Sequence, residues 1–143
     1  MEEFIQQQNA KLPPFDIVAE RNVLASMLLD KSAVDISLEK LIASDFFENK
    51  HIEIFSTMVD MENKGIAIDY VTLQSALQEK GKLEISGGLE YLLNLTSSGV
   101  LSSNIREYVR IVSQKATLRR LIKISDEIIS KSYKQEKHSD IIV

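Results

Sequence analysis

The sequence predicts an all-α fold, with a compact head of short helices followed by one long helix. Only five glycines and two prolines occur in 143 residues, and most of them separate stretches whose apolar residues recur every three or four positions. Runs that alternate with period two, which are typical of strands, are rare. Between residues 104 and 133 no glycine or proline interrupts the chain, and that length is well above the mean for a helix. These observations together favour helices packed on helices.

The composition is that of one ordinary globular domain. Hydrophobic residues make up 44% and charged residues 27%, so the chain can bury a core without cross-links. The absence of cysteine excludes disulfides and thiolate metal sites, and it agrees with a reducing, cytoplasmic setting. The net charge of −4 favours a protein partner over nucleic acid. Neither a signal peptide nor an apolar run of roughly 18 residues is found, so we expect a soluble protein that does not enter a membrane.

The first helix is predicted over residues 17–29. Pro13 and Pro14 hold the preceding backbone extended, and Asp16 is placed to cap the helix. Glu20 lies near the start, where its charge favours the helix dipole. One broad apolar face at helical spacing consists of Val18, Ala19, Val23, Leu24, Met27 and Leu28.

Two short elements are predicted next. Ser32 and Asp35 are interpreted as a capping pair for a second helix. Asp45 is expected to open a further turn. The apolar side chains of these two elements are Leu38, Leu41, Ile42, Phe46 and Phe47.

A longer helix is predicted over about 50–64. It ends at Lys64 and Gly65, with a lysine in the last turn and a glycine free to adopt a positive φ. The next helix covers roughly 70–80, with Asp69 placed to cap it. We expect that helix to bury Val71, Leu73 and Leu77.

Gly87 and Gly88 are predicted to form the turn before a short, apolar helix. Its sequence is LEYLLNL, and Gly99 ends it. The leucines are spread around the helix, so we expect it to be buried or heavily packed. These leucines are Leu89, Leu92, Leu93 and Leu95.

The long helix is predicted over about 104–133. Asn104 and Glu107 match the pattern of a capping box. An apolar stripe with a seven-residue repeat runs along the helix. Because the helix is longer than its head, we expect the far end of the stripe to contact a partner or a second helix, although the head could also fold back over it. The stripe consists of Ile111, Leu118, Leu121, Ile122, Ser125, Ile128 and Ile129.

A weak boundary between a head and a helical arm is expected near residue 100. Residues 1–11 are interpreted as a flexible tail, 12–100 as the globular head and 101–143 as the helical arm. A polar stretch after the long helix leads into an apolar ending. We interpret that ending as the opening of a further helix near Ser139.

No catalytic, cofactor-binding or metal-binding constellation is recognisable in the sequence. His51 and His138 lie far apart in different elements, and a structural or solvated role is expected for His51. Asp16, Asp45 and Asp69 each have a capping explanation. Neither of the phosphate-loop patterns GxxxxGKS/T and GxGxxG occurs, so ATP hydrolysis is not expected in this chain.

One basic cluster lies on the long helix, at Lys115, Arg119, Arg120 and Lys123. Lys115, Arg119 and Lys123 share a face. This face could contact phosphates, or it could be a solvated face opposite the apolar stripe. We favour the solvated face because no aromatic or glycine-rich platform accompanies it, and direct DNA binding is therefore not expected.

The motifs, taken in order, resemble the N-terminal domain of bacterial replicative DNA helicases of the DnaB type. The resemblance covers about residues 12–133, and it depends on the order of the motifs because no single motif is decisive. The motifs are LPPFDIVAERNVL (12–24), DFF (45–47), HIEIF (51–55), GIAIDYVTL (65–73), GGLEYLLNL (87–95) and NIREYVRIVSQKATLRRLI (104–122).

The resemblance implies a non-catalytic domain of a hexameric helicase that acts in DNA replication. In that family, helical hairpins pair the N-terminal domains into a collar, a trimer of dimers, which docks the C-terminal helicase-binding domain of primase. The long helix would be the first arm of the hairpin, and the second arm would begin near Ser139. No cofactor is expected in this chain, because ATP and Mg²⁺ would bind a separate C-terminal ATPase domain.

The resemblance also implies roles for individual residues. Primase contacts map onto Tyr91, Ile122 and Ile128, although Tyr91 could instead be an aromatic at the edge of the core with a polar tip. A helicase loader is a further candidate partner. Three other residues of the stripe, Leu118, Leu121 and Ile129, are interpreted as the self-association surface.

Two other functions remain open at this point. A stand-alone helical adaptor would lack a downstream phosphate-loop motif. A small DNA-binding domain would use Lys115, Arg119 and Lys123, and its binding would weaken steeply with salt.

Overall fold

The computed structural model describes residues 11–135, which form six α-helices and two short 3₁₀ turns and contain no strand. The predicted all-α class is therefore confirmed. The predicted tail before Lys11, His138 and the predicted second arm from Ser139 lie outside the described residues. The helices are α1 (Ile17–Leu29), α2 (Lys31–Lys40), α3 (Asn49–Asn63), α4 (Tyr70–Glu79), α5 (Gly88–Thr96) and α6 (Ile105–Tyr133).

Helix α1 lies at the centre of the head and packs against α2, α3, α5 and α6. As predicted, Asp16 caps it, and the Asp16 carboxylate accepts a hydrogen bond from the Ala19 N–H at 2.9 Å. The side chains of Val23 and Leu24 are fully buried. Glu20 lies in the first turn of α1, as predicted, but it is only 2% exposed, so its charge is held in the interior of the head.

Helix α2 follows α1 directly and is capped by Asp30. The Asp30 carboxylate accepts from the N–H of Ser32 at 2.9 Å and from its hydroxyl at 3.0 Å. The predicted Ser32–Asp35 capping pair is therefore wrong, because Asp30 already supplies the acceptor before the helix begins. Asp35 instead forms an exposed ion pair with Lys31.

The turn after α2 also differs from its prediction. Ala43–Asp45 forms the 3₁₀ turn, so Asp45 closes this turn rather than opening one. Its carboxylate accepts from the backbone N–H of Ile42 at 2.9 Å. Phe46 is then buried, at 2% exposure, while Phe47 stays at the surface.

Helices α3 and α4 have the predicted positions within one residue at each end. Asp69 caps α4, since its carboxylate accepts from the Thr72 N–H at 2.9 Å. Leu73 and Leu77 are fully buried, four residues apart on one face. Val71 is 69% exposed, because its position in the first turn of α4 points away from that face, so its predicted burial is wrong.

Helix α5 is buried on one side only. Leu92 and Leu95 are fully buried, whereas Leu89 is 44% and Leu93 55% exposed. The expectation of a helix packed all round is therefore wrong for the outer side. This short helix presents one face to the head and leaves the other face open.

Helix α6 has 29 residues, which at 1.5 Å per residue is about 43 Å, and its bounds match the predicted ones. The predicted capping box is absent: the Asn104 side chain makes no capping bond, and Glu107 binds Arg110 instead. A 3₁₀ turn over Ser102–Asn104 leads into the helix. The first half packs on the head through Ile105, Val109, Val112 and Ala116.

Among residues 11–135, none of the helices is both long and apolar enough to cross a membrane.

Candidate functional site

The second half of α6 carries an exposed apolar surface, which we call the α6 stripe. The predicted apolar positions from Leu118 onward are between 39% and 55% exposed in this chain, so the head does not fold back over them. Ile124, at 42% exposure, belongs to the same surface but was not predicted, because it lies off the seven-residue repeat. The α6 stripe comprises Leu118, Leu121, Ile122, Ile124, Ile128 and Ile129.

An open cleft of about 740 Å³ lies beside the α6 stripe. One wall is the extended segment 11–14, with Pro13 and Pro14 at its end, and the other wall belongs to α6. Leu121, Ile122 and Ile129 face this cleft. A surface of branched aliphatic side chains next to an open groove suits the apolar face of another protein segment.

Two arginines fix the orientation of α6 where it leaves the head. Arg119 donates to the carbonyl oxygen of Pro14 at 2.8 Å and to that of Asp45 at 2.6 Å. Arg120 pairs with the Asp45 carboxylate at 2.7 Å. The guanidinium of Arg119 also lies 5.6 Å from the centre of the Phe47 ring, which stacks on Phe15.

These contacts bear on the candidate basic face. Arg119 is bound to backbone carbonyls of the head, whereas Lys123, one turn further, is exposed. Lys115, one turn earlier, is half-buried. The three side chains share a helix face, as the spacing predicts, but the central one already has protein partners.

Tyr91 lies on α5, away from the α6 stripe, and is part of a hydrogen-bonded relay. Its hydroxyl is 2.5 Å from Nε2 of His51, and Nδ1 of His51 is 2.9 Å from the Glu20 carboxylate. The same carboxylate accepts from the backbone N–H groups of Phe47 at 2.8 Å and Glu48 at 3.3 Å. We call Glu20, His51 and Tyr91 the relay; it joins α1, α3 and α5.

The relay is buried at one end and open at the other. Glu20 and His51 are 2% and 0% exposed, while the Tyr91 ring is half-buried. On the outside, the Lys50 ammonium lies 4.0 Å from the centre of that ring. The structural role expected for His51 is therefore observed, and Tyr91 is a half-buried aromatic at the edge of the core, with Lys50 against its ring.

The protonation of the relay follows from its contacts. The Glu20 carboxylate already accepts from two backbone N–H groups, so Nδ1 of His51 is assigned as a further donor, and in that tautomer Nε2 is an acceptor. Burial raises the pKa of the Tyr91 hydroxyl above its usual value, and the nearby Arg21 opposes that shift. In that tautomer of His51, the Tyr91 hydroxyl donates a hydrogen bond to Nε2.

The turn before α5 is shaped by Tyr91. Gly87 has φ +99°, and a Cβ at this position would lie 2.6 Å from Cβ of Tyr91. Glycine is required there both for the left-handed backbone and for the close approach. Of the two predicted turn glycines, Gly87 is thus explained by the close approach of Tyr91, while Gly88 has a φ of +74° and no close contact at its added Cβ.

Sequence reasoning missed Glu20 as a relay member, although the register contains a signal. Glu20 lies four residues before Leu24 and seven before Met27, both of which are buried. A carboxylate on the buried face of a helix needs donors, and that requirement points to an internal partner. In residues 11–135, no three histidine or acidic side chains come together in a way that could hold a metal ion.

An all-helical head with an exposed apolar stripe on one projecting helix defines a helical docking or assembly domain. A family model described as DnaB-like helicase N terminal domain matches residues 12–114. The chain belongs to this family. The resemblance stated from the sequence motifs is thereby confirmed.

Individual relatives agree with this family. The chain is 37% identical over 128 residues to the replicative DNA helicase DnaC of Bacillus subtilis and 35% identical over 133 residues to the replicative DNA helicase DnaB of Geobacillus stearothermophilus. These matches cover 90% and 93% of the chain. The chain spans only 28% and 29% of the length of those two relatives.

Two solved structures are also similar. The N-terminal domain of DnaB helicase from Mycobacterium tuberculosis matches with a TM-score of 0.86 and 33% identity, over 92% of this chain and 94% of that one. A DnaB-like replicative helicase, whose structure addresses its interactions with primase, matches with a TM-score of 0.72 and 29% identity. That match covers 81% of this chain and 27% of the other.

Proposed function

We propose that this chain is a non-catalytic collar domain of a hexameric replicative helicase. In this proposal it assembles with other copies and docks the helicase-binding domain of primase during DNA replication in the cytoplasm. The observation that carries the proposal is the α6 stripe, an exposed apolar surface on a domain of the DnaB N-terminal family. ATP and Mg²⁺ would bind elsewhere in the full-length helicase, where the enzymatic activity would lie.

Primase is proposed to contact Tyr91 and part of the α6 stripe. One of the similar structures is that of a DnaB-like helicase described together with its interactions with primase. Ile122 and Ile128 are 47% and 40% exposed, and the Tyr91 side chain is half-buried at the surface of α5. Apolar and aromatic side chains of this kind supply most of the binding energy at protein interfaces.

Self-association is proposed for three other residues of the α6 stripe. Leu118, Leu121 and Ile129 would pack against a second helix, completing a hairpin over residues 101–143 beside a head of residues 12–100. A helicase loader is a further proposed partner of this surface. Direct DNA binding is not proposed, because Arg119 is already bound to the head.

Binding of the primase domain, measured by isothermal titration calorimetry, tests the docking proposal. Ile122→Asp and Ile128→Asp should each weaken binding at least tenfold, because a charge would be placed in an apolar contact. Val71→Asp is the matched control, since Val71 is an exposed β-branched residue on α4. If both α6 variants bind as tightly as the unmodified chain, the assignment of these residues is wrong.

Sedimentation analysis tests the assembly proposal. A chain extended at its carboxyl end to include a complete second arm should associate more strongly than the 143-residue chain. Leu121→Asp and Ile129→Asp should reduce that gain. An extended chain that sediments like the shorter one contradicts the hairpin.

A further inference from the structure

We propose that Glu20 and His51 are positioning residues that hold Tyr91 in the orientation needed for docking. This inference rests on the proposed function, in which Tyr91 contacts primase. It assigns a role to two buried residues that do not reach the surface themselves. Through these hydrogen bonds, the positions of α1 and α3 determine the orientation of Tyr91 on α5.

The first step is the anchoring of Glu20. Its carboxylate binds two successive backbone N–H groups, those of Phe47 and Glu48, and also His51. These partners satisfy a buried carboxyl group whose burial without hydrogen bonds would be very unfavourable. Glu20 therefore fixes the start of α3 against α1, and with it the place of the His51 ring.

The second step is the direction imposed on Tyr91. With Nδ1 of His51 bound to Glu20, only Nε2 is free, and it lies 2.5 Å from the Tyr91 hydroxyl. The edge of the Phe46 ring packs against His51 at 6.4 Å between ring centres, which limits rotation of the imidazole. The acceptor that receives the tyrosine proton is thus held in one place.

The third step explains why the arrangement serves the surface rather than the core alone. Part of the Tyr91 side chain is at the surface, whereas its hydroxyl is directed inward to His51. The relay places the Glu20 carboxylate and the His51 imidazole beneath the ring, and Gly87 allows Cβ of Tyr91 to approach the backbone. A ring fixed in advance loses less freedom when a partner binds.

Binding of the primase helicase-binding domain tests the proposal through a double-mutant cycle. His51→Gln should weaken binding about three- to tenfold in the unmodified chain, the range expected from freeing one interface side chain. In the Tyr91→Phe background, which lacks the hydroxyl, His51→Gln should have no further effect. Ser37→Ala, a fully buried substitution on α2, is the control and should leave binding unchanged.

Equal losses from His51→Gln in both backgrounds would overturn the proposal, because His51 would then act through general stability. The proposal would also be overturned if His51→Gln did not weaken primase binding in either the unmodified chain or Tyr91→Phe. If His51→Gln does not fold, the imidazole ¹⁵N shifts of the unmodified chain decide the matter. They should show a proton on Nδ1 and none on Nε2, and the Nε2 shift should move in Tyr91→Phe; a proton on Nε2 instead would contradict the relay.

The proposed function can fail separately. If the unmodified chain does not bind the primase domain, docking itself is contradicted, and the ¹⁵N shifts still report whether His51 holds Tyr91. If binding occurs but Tyr91→Ala leaves it unchanged, Tyr91 is outside the interface, and positioning for docking is overturned while primase binding stands.

Discussion

Glu20 shows how a single residue can escape local sequence rules. Its place in the first turn of α1 suggested a favourable charge near the helix dipole, yet its carboxylate is buried and binds three donors from another part of the chain. The caps at Asp16 and Asp69 were predictable because a cap needs only its own next three residues. The relay was not, because His51 lies 31 residues after Glu20 and 40 residues before Tyr91.

Gly87 provides a prediction at this scale. Gly87→Ala should lower the free energy of unfolding by about 3–4 kcal/mol, since a left-handed non-glycine residue costs about 1–2 kcal/mol and the new Cβ meets Tyr91 as well. Gly65→Ala is the matched control, because Gly65 has φ +71° with nothing within 4 Å of its added Cβ. Urea denaturation of the two variants measures the difference. If both variants lose the same free energy of unfolding, the close approach of Tyr91 to Gly87 does not contribute to the effect.

The Tyr91 hydroxyl should lose its proton at a higher pH than an ordinary tyrosine does. Burial raises its pKa above the usual value near 10, so its protonated form is favoured in the folded chain. The resulting contribution to stability is complete below about pH 10 and is lost as the pH rises through the folded-state pKa. Ultraviolet titration of tyrosinate should show a late component that Tyr91→Phe removes. If the absorbance change at high pH is still present in Tyr91→Phe, it does not belong to Tyr91, and the burial of this hydroxyl is contradicted.

At the scale of helices, positions were more predictable than packing. The bounds of α1, α3, α4 and α6 followed from local signals, namely caps, glycines and uninterrupted helical spacing. Which side of α4 or α5 is buried depends on the neighbouring helices, so the exposure of Val71 and Leu93 could not be predicted from their own segments. The division of α6 into a packed and an exposed half followed from its length relative to the head.

The junction between α6 and the head yields a prediction about Arg119. Arg119→Ala should lower the free energy of unfolding by about 1–3 kcal/mol, because two carbonyl oxygens lose a charged donor. Lys123→Ala, one turn away on the same face, should change it by less than about 0.5 kcal/mol. Thermal unfolding of both variants makes the comparison. If Lys123→Ala destabilises the chain as much as Arg119→Ala, the contacts of Arg119 with the head do not fix α6.

At the scale of the whole molecule, the order of motifs was more informative than composition or charge. Composition alone indicated a helical domain with a protein partner, and the motif order pointed to the DnaB N-terminal family, which the family model confirms. The proposed contacts with primase and with other copies do not follow from physical chemistry alone, since an exposed apolar side chain does not identify what covers it. The binding roles of Tyr91 and of the α6 stripe are therefore proposals, whereas the family and the fold are confirmed.

The most direct test of the account is an NMR titration of the ¹⁵N-labelled chain with the helicase-binding domain of primase. The backbone shifts that change should cluster around Tyr91 on α5 and around Ile122 and Ile128 on α6, with little change near Val71 on α4. An absence of binding, or shift changes confined to surfaces away from these three residues, would contradict the central claim that this domain docks primase through them.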